Sequence, residues 1–139
     1  MIDNKSLKNK ILSINTIDEM ETFIEKNIQA IITYFFDNGI DKELISKMFT
    51  NVSNNFIYDL YYCLIENLDD YKLLIYIYDK DQNLAKKIAN ILIEEDISLI
   101  ESFYKSCKNK PQCIEIIKSF SINQKGLLLS KLSSSINYL

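Results

Sequence analysis

A chain of 139 residues with 47% hydrophobic and 25% charged side chains and a net charge of −3 has the composition of one ordinary globular domain, far from the disordered and fibrous extremes. Two glycines and one proline are too few for the many tight turns of a β-rich fold of this length, so helices are expected. His and Arg are absent and all 16 basic residues are Lys, which removes the commonest general base near neutral pH and the side chain best suited to bidentate recognition of guanine and phosphate.

The chain opens on a polar stretch, residues 1–8, without the apolar segment or the small-residue cleavage site of a secretory leader. A cytoplasmic protein is the corresponding expectation, and in the host-cell cytoplasm if the source is a virus or phage. Thr16 and Glu19 fit a capping box, so a helix should start near Ile17. Met20, Phe23, Ile24, Ile28, Ile31, Ile32 and Phe35 then recur at helical spacing, and Gly39 supplies a left-handed C-cap. At about 1.5 Å per residue this helix is roughly 30 Å long.

Further starts are expected at Asp41, Ser53, Asp69 or Asp70, Asp81, Asp96, Lys110 before Pro111, and Ser121 or Asn123. Glu43 with Lys47 and Glu101 with Lys105 have the spacing of helical ion pairs. The run Tyr71 to Tyr78 would also suit a buried strand, but one strand alone has no partner, so it reads as helix. From Gln82 to Glu95, Leu84, Ile88, Ile91 and Leu92 share a face that Ala85 and Ala89 widen. The Ser133-Ser134-Ser135 run reads as a fraying end. The fold class is all-α: one domain over 1–139, an irregular bundle of about seven short-to-medium helices, with stacked hairpins in the manner of an α-solenoid as the variant.

Motifs for chemistry are missing. Without His there is no Ser-His or Cys-His pairing. Glycine only at 39 and 126 leaves no phosphate-binding loop. Asp79-Lys80-Asp81-Gln82-Asn83 begins like a calcium loop, but Leu84 and Asn90 stand where glycine and a bidentate Glu are needed, so it reads as an interhelical turn. Cys63, Cys107 and Cys113 offer three thiols and no imidazole, and read as small buried hydrophobes with free thiols. The expectation is no catalytic residue, no cofactor, no metal and no enzyme activity. The longest apolar runs are far shorter than the ~20 residues of a membrane span, so no membrane association is expected.

Charge is unevenly distributed. Residues 1–104 carry 10 Lys against 18 acids, a net of −8, whereas the remainder carries 6 Lys against Glu115 alone, a net of +5. Such polarity can steer a charged partner. The acidic clusters Asp69, Asp70 and Glu94, Glu95, Asp96 are the candidate protein-binding residues. The lysines Lys105, Lys108, Lys110, Lys118, Lys125 and Lys131 are the candidates for the alternative, a nucleic-acid-associated protein. Nine tyrosines are available as interface anchors. The leading expectation is a non-enzymatic protein-binding module, an inhibitor or immunity-type protein of a phage, virus or mobile element, such as an anti-defence protein. It would act by occupying a target protein's surface, and the sequence is compatible with homo-oligomers.

Overall fold

A computed structural model describes residues 3–137 of the chain. All secondary structure among them is helical, with nine helices and no strand. The chain divides into two compact units, one ending at Asp70 and the other beginning at Tyr71.

The first unit contains α1 (Asn4–Ser13), α2 (Ile17–Asn38), α3 (Lys42–Thr50) and α4 (Asn54–Leu68). Helix α1 is absent from the set of starts expected from the sequence. It forms because Asp3 caps it, accepting the Ser6 N–H at 2.8 Å, and because Leu7, Ile11 and the following Ile14 bury one stripe of an otherwise polar segment. Helix α2 begins as its residues dictate, with the Thr16 hydroxyl accepting the Glu19 N–H at 3.3 Å. The Glu19 carboxylate pairs with Lys10 at 3.0 Å, so only half of the capping box is made. The helix is not straight. Asn27 departs from helical geometry (φ −123°, ψ 19°), and its side-chain amide donates at 2.9 Å to the Phe23 carbonyl, the acceptor a regular turn assigns to the Asn27 backbone.

Gly39 ends α2 at φ 77°, ψ 176°. That is the extended positive-φ region, essentially restricted to glycine, rather than the left-handed helical one. Asp41 then caps α3 through the Leu44 N–H at 3.1 Å. The same carboxylate meets Lys8 of α1 at 2.8 Å and the Tyr34 hydroxyl of α2 at 3.1 Å, tying three helices together. Lys47 donates to Asn15 at 2.8 Å, so the charge expected to pair with Glu43 serves a longer-range tie. Helix α1 packs on α2 and α3, and α2 packs on α4, around Ile11, Met20, Met48 and Phe49, all fully buried. The Phe49 and Tyr61 rings lie 6.2 Å apart in a tilted pair.

The second unit contains α5 (Leu73–Lys80), α6 (Gln82–Glu95), α7 (Ile97–Cys107), α8 (Pro111–Lys118) and α9 (Ile122–Asn137). The ambiguous Tyr-rich run is helical, as α5, and Ile77 is fully buried. Asp81 ends α5 and caps α6 through the Leu84 N–H at 3.1 Å, which makes the calcium-like segment an interhelical turn. Pro111 sits in the first turn of α8. Ser121 and Gln124 form a complete capping box at the start of α9, with bonds of 3.1 Å and 2.9 Å. That helix continues through the serine run expected to fray.

Helix α6 is the hub, packing on α5, α7 and α8, while α9 lies on α7 and α5 on α8. Ala85 and Ala89, both fully buried, allow its neighbours to approach closely. The expected count of about seven is therefore corrected to nine among the described residues. Lengths run from 8 residues in α5 and α8 to 22 in α2, which falls short of a regular solenoid repeat. No helix among the described residues is long and apolar enough to cross a membrane.

Candidate functional site

The acidic candidates sit at helix ends. Asp69 terminates α4 in the left-handed conformation (φ 51°, ψ 42°), which short polar side chains tolerate better than most. It closes a helix where the sequence reading had one begin, and α5 starts at Leu73 with no side-chain cap. Asp70 follows it, half-buried, as the last residue of the first unit. In the second unit Asp96 caps α7, accepting the Ser98 N–H at 3.1 Å and also the Ser98 hydroxyl. Glu94 accepts the Gln124 amide at 2.8 Å and so joins α6 to α9. Glu95 is exposed. Two of these carboxylates, Glu94 and Asp96, thus hold helices in place, which is the usual work of acids at helix boundaries.

The lysine candidates separate into two sets. Lys105 pairs with Glu101 along α7 at 3.3 Å, as its spacing predicts. Lys110 is exposed ahead of α8, and Lys131 is exposed on α9. Lys108, Lys118 and Lys125 converge on a hollow of about 200 Å³ shared by α7, α8 and α9, whose wall includes Tyr104, Ile114 and Ile117. Lys118 also meets Glu115 at 3.4 Å. Among the described residues Lys108 and Lys125 have no ion-pair partner.

The larger apolar feature lies elsewhere, in the first unit. Between α2 and α4 runs a groove of about 350 Å³ lined by Ile24 and Ile28 from one helix and Phe56, Leu60 and Cys63 from the other, with Glu25 and Asp59 at its rim. Its origin is periodic. Ile24 and Ile28 stand four apart, and Phe56, Leu60 and Cys63 continue one face of α4, so two apolar stripes meet without filling the space between them. Asp59 follows Phe56 by three residues and Glu25 adjoins Ile24, which places an exposed carboxylate on each helix. None of this set was among the sequence-derived site residues. The signal available was an apolar stripe on each helix, and a stripe does not announce that its partner leaves a gap. Another depression, of about 400 Å³, joins Lys10, Asp18, Glu19 and Lys26 around Phe23 and mixes both charges.

The three cysteines are free thiols. Cys107 and Cys113 are buried as expected, whereas Cys63 is half-buried in the groove wall. A hydrogen bond with Cys107, and burial after it, push the Cys113 thiol far above its ordinary value. Burial also pushes Cys63 up, against a smaller opposing effect of Asn67. Raised thiols are poor nucleophiles at neutral pH. No grouping of three or more Cys, Asp or Glu side chains that could hold a metal ion occurs among the described residues.

Comparison of the chain with protein-family models, with curated proteins and with solved structures returns no match.

Proposed function

We propose that the chain is a non-enzymatic protein-binding module whose first unit seats an apolar, basic segment of a partner protein in the groove between α2 and α4. The observation that carries the reading is the groove itself: about 350 Å³ of largely aliphatic wall with a carboxylate on each rim. Its size falls in the ~300–1,000 Å³ range of sites that take an inserted group. An amphipathic helix laid into such a groove buries anchors at positions i, i+3 or i+4 and i+7. Glu25 and Asp59 favour lysines or arginines beside those anchors, and the first unit carries 6 Lys against 12 acids, a net of −6, which raises the encounter rate with a basic partner. Action by occupancy, in the manner of an inhibitor or immunity protein, requires no catalytic group.

The test is affinity capture with the full chain, with and without nuclease, alongside the variant Glu25→Lys with Asp59→Lys. Both substitutions lie on exposed positions, so the variant should fold. A protein retained after nuclease by the wild type and lost by the variant supports the reading. Equal retention by both would remove the groove from it, and loss of every partner on nuclease treatment would replace it with the nucleic-acid alternative.

A further inference from the structure

Both units expose some large apolar side chains, Phe36 in the first and Leu127 in the second among them, but three of those in unit 2 lie near one hollow. Ile122 is 86% exposed, Leu129 65% and Ile114 45%. These three are not scattered. Lys125 lines the hollow shared by α7, α8 and α9, and Ile122 and Leu129 stand three before and four after it on α9, which makes them its neighbours on the helix surface. Ile114 is itself part of the hollow wall, four residues before Lys118. Lys108, four after Tyr104 and just past the end of α7, brings a third lysine to the hollow. The result is a hollow walled by Tyr104, Cys113, Ile114 and Ile117 and lined by three lysines, two of which have no ion-pair partner among the described residues, with Ile122 and Leu129 beside Lys125 on α9 but outside the lining.

We infer that this hollow is a second docking site, for an acidic peptide segment carrying one large apolar side chain. Its volume of about 200 Å³ is sufficient for one ring or branched chain, since a cavity of ~150 Å³ lined by apolar groups accepts a benzene. Ile122 and Leu129 extend the apolar contact past the hollow along α9, so a segment of several residues covers more than a single small molecule does. Lys108, Lys118 and Lys125 then receive carboxylates on either side of the anchor. A single strand of RNA fits less well, because strands of that kind bind by stacking bases on aromatic faces, and the lining has one aromatic side chain, Tyr104. A lipid surface is flat, whereas the site is concave. The site differs from the α2/α4 groove in unit, in charge and in partner, so it stands or fails independently of the proposed function.

The experiment uses the full chain and a fluorescein-labelled 15-residue peptide of Asp, Glu, Ser and Gly with one central Phe, read by fluorescence anisotropy. Binding should weaken about tenfold or more in Lys118→Glu with Lys125→Glu, and also when the Phe of the peptide is replaced by Ser. It should weaken as salt is raised. The milder pair Lys108→Gln with Lys125→Gln should weaken it in the same direction and leave the thermal melt unchanged, whereas Lys118→Glu, which loses its pair with Glu115, should lower the melt slightly. The groove variant Glu25→Lys with Asp59→Lys should bind this peptide as the wild type does. Equal affinity for wild type and lysine variants would overturn the inference. So would lysine-dependent binding that is tighter to an oligouridine RNA, or to phosphatidylserine vesicles, than to the peptide. Concentration-dependent dimers abolished by the same variants would assign the hollow to a second copy of the chain and overturn it equally.

Discussion

The two units put their charges to different use. In the first, ionic groups tie helix to helix: Lys8 to Asp41, Lys10 to Glu19, Lys47 to Asn15, and the Glu21 carboxylate to the Ser53 N–H at 2.7 Å. In the second, 10 Lys against 7 acids give a net of +3, and three ties between helices are donated by neutral amides. Gln112 reaches Asp79 at 3.1 Å, Asn90 reaches Ser119 at 3.2 Å, and Gln124 reaches Glu94 at 2.8 Å. Besides these ties the first unit presents an apolar groove with a carboxylate on each rim, and further exposed acids such as Asp18, Asp37 and Glu66. Where amides make the ties, lysines stay at the surface beside exposed isoleucine and leucine. Net charge along a chain therefore does not say which charges are available to a partner.

Apolar packing should not distinguish the units. Phe49 in the first and Phe103 in the second are fully buried, and Phe49→Ala and Phe103→Ala should each cost about 3–5 kcal/mol in urea denaturation. A much smaller loss for one of them would show that its unit is loosely packed and would weaken the comparison at its base.

The contrast should appear with pH. Burial pushes the Asp41 carboxyl up, but the Lys8 ammonium, the Leu44 N–H and the Tyr34 hydroxyl more than offset this and hold it below its ordinary value of 3.8. A carboxyl depressed on folding contributes stability that is complete above its unfolded value and is lost as pH falls through the folded one. Asp41→Ala should cost about 1–2 kcal/mol near neutral pH, since it removes a helix cap and an ion pair together. Asp41→Asn keeps a capping side chain and should cost less than about 1 kcal/mol. The difference between wild type and Asp41→Asn should shrink below about pH 4. The effect of Asn90→Ala, which breaks a neutral tie, should stay level over the same range.

Two glycines sharpen the comparison further. Gly39→Ala should lower stability by about 1 kcal/mol or more, because its φ of 77° is strained for any side chain although nothing stands within 4 Å. Gly126→Ala, also in open space, should raise stability by about 0.5–1 kcal/mol. The smallest effect is expected at Ser46. Its hydroxyl is buried with no hydrogen-bond partner among the described residues, so Ser46→Ala should be neutral or stabilising by under about 1 kcal/mol. A clear loss there would show that the hydroxyl has a partner in solution.

Much of the helical framework was legible because its signals are local. Thr16, Asp81, Asp96, Pro111 and Ser121 mark helix starts through bonds to residues two or three places on, or through a fixed φ. Helix α1 was missed because two buried residues among many polar ones make a weak stripe. Asp69 was misplaced because an aspartate can end a helix in the left-handed region as well as begin one. The kink at Asn27 accompanies a side-chain amide bonded to the Phe23 carbonyl, but Asn90 makes the same bond to the Lys86 carbonyl within α6, so the presence of an asparagine does not reveal a kink. The site was less legible. Lysine counting found Lys108, Lys118 and Lys125 but not that they line one hollow, and acid counting selected residues at helix ends while passing over Glu25 and Asp59. Grooves arise where two stripes fail to fill the space between them, and that is a property of helix pairs.

The most direct test of the docking groove is a backbone amide NMR titration of the full chain with a basic amphipathic helical peptide, Lys on one face and Leu and Phe at spacings of three and four on the other. The account predicts shifts concentrated at Ile24, Ile28, Phe56, Leu60 and Cys63, abolished in Glu25→Lys with Asp59→Lys. Shifts spread evenly over both units, or confined to residues around Lys118 and Lys125, would contradict it.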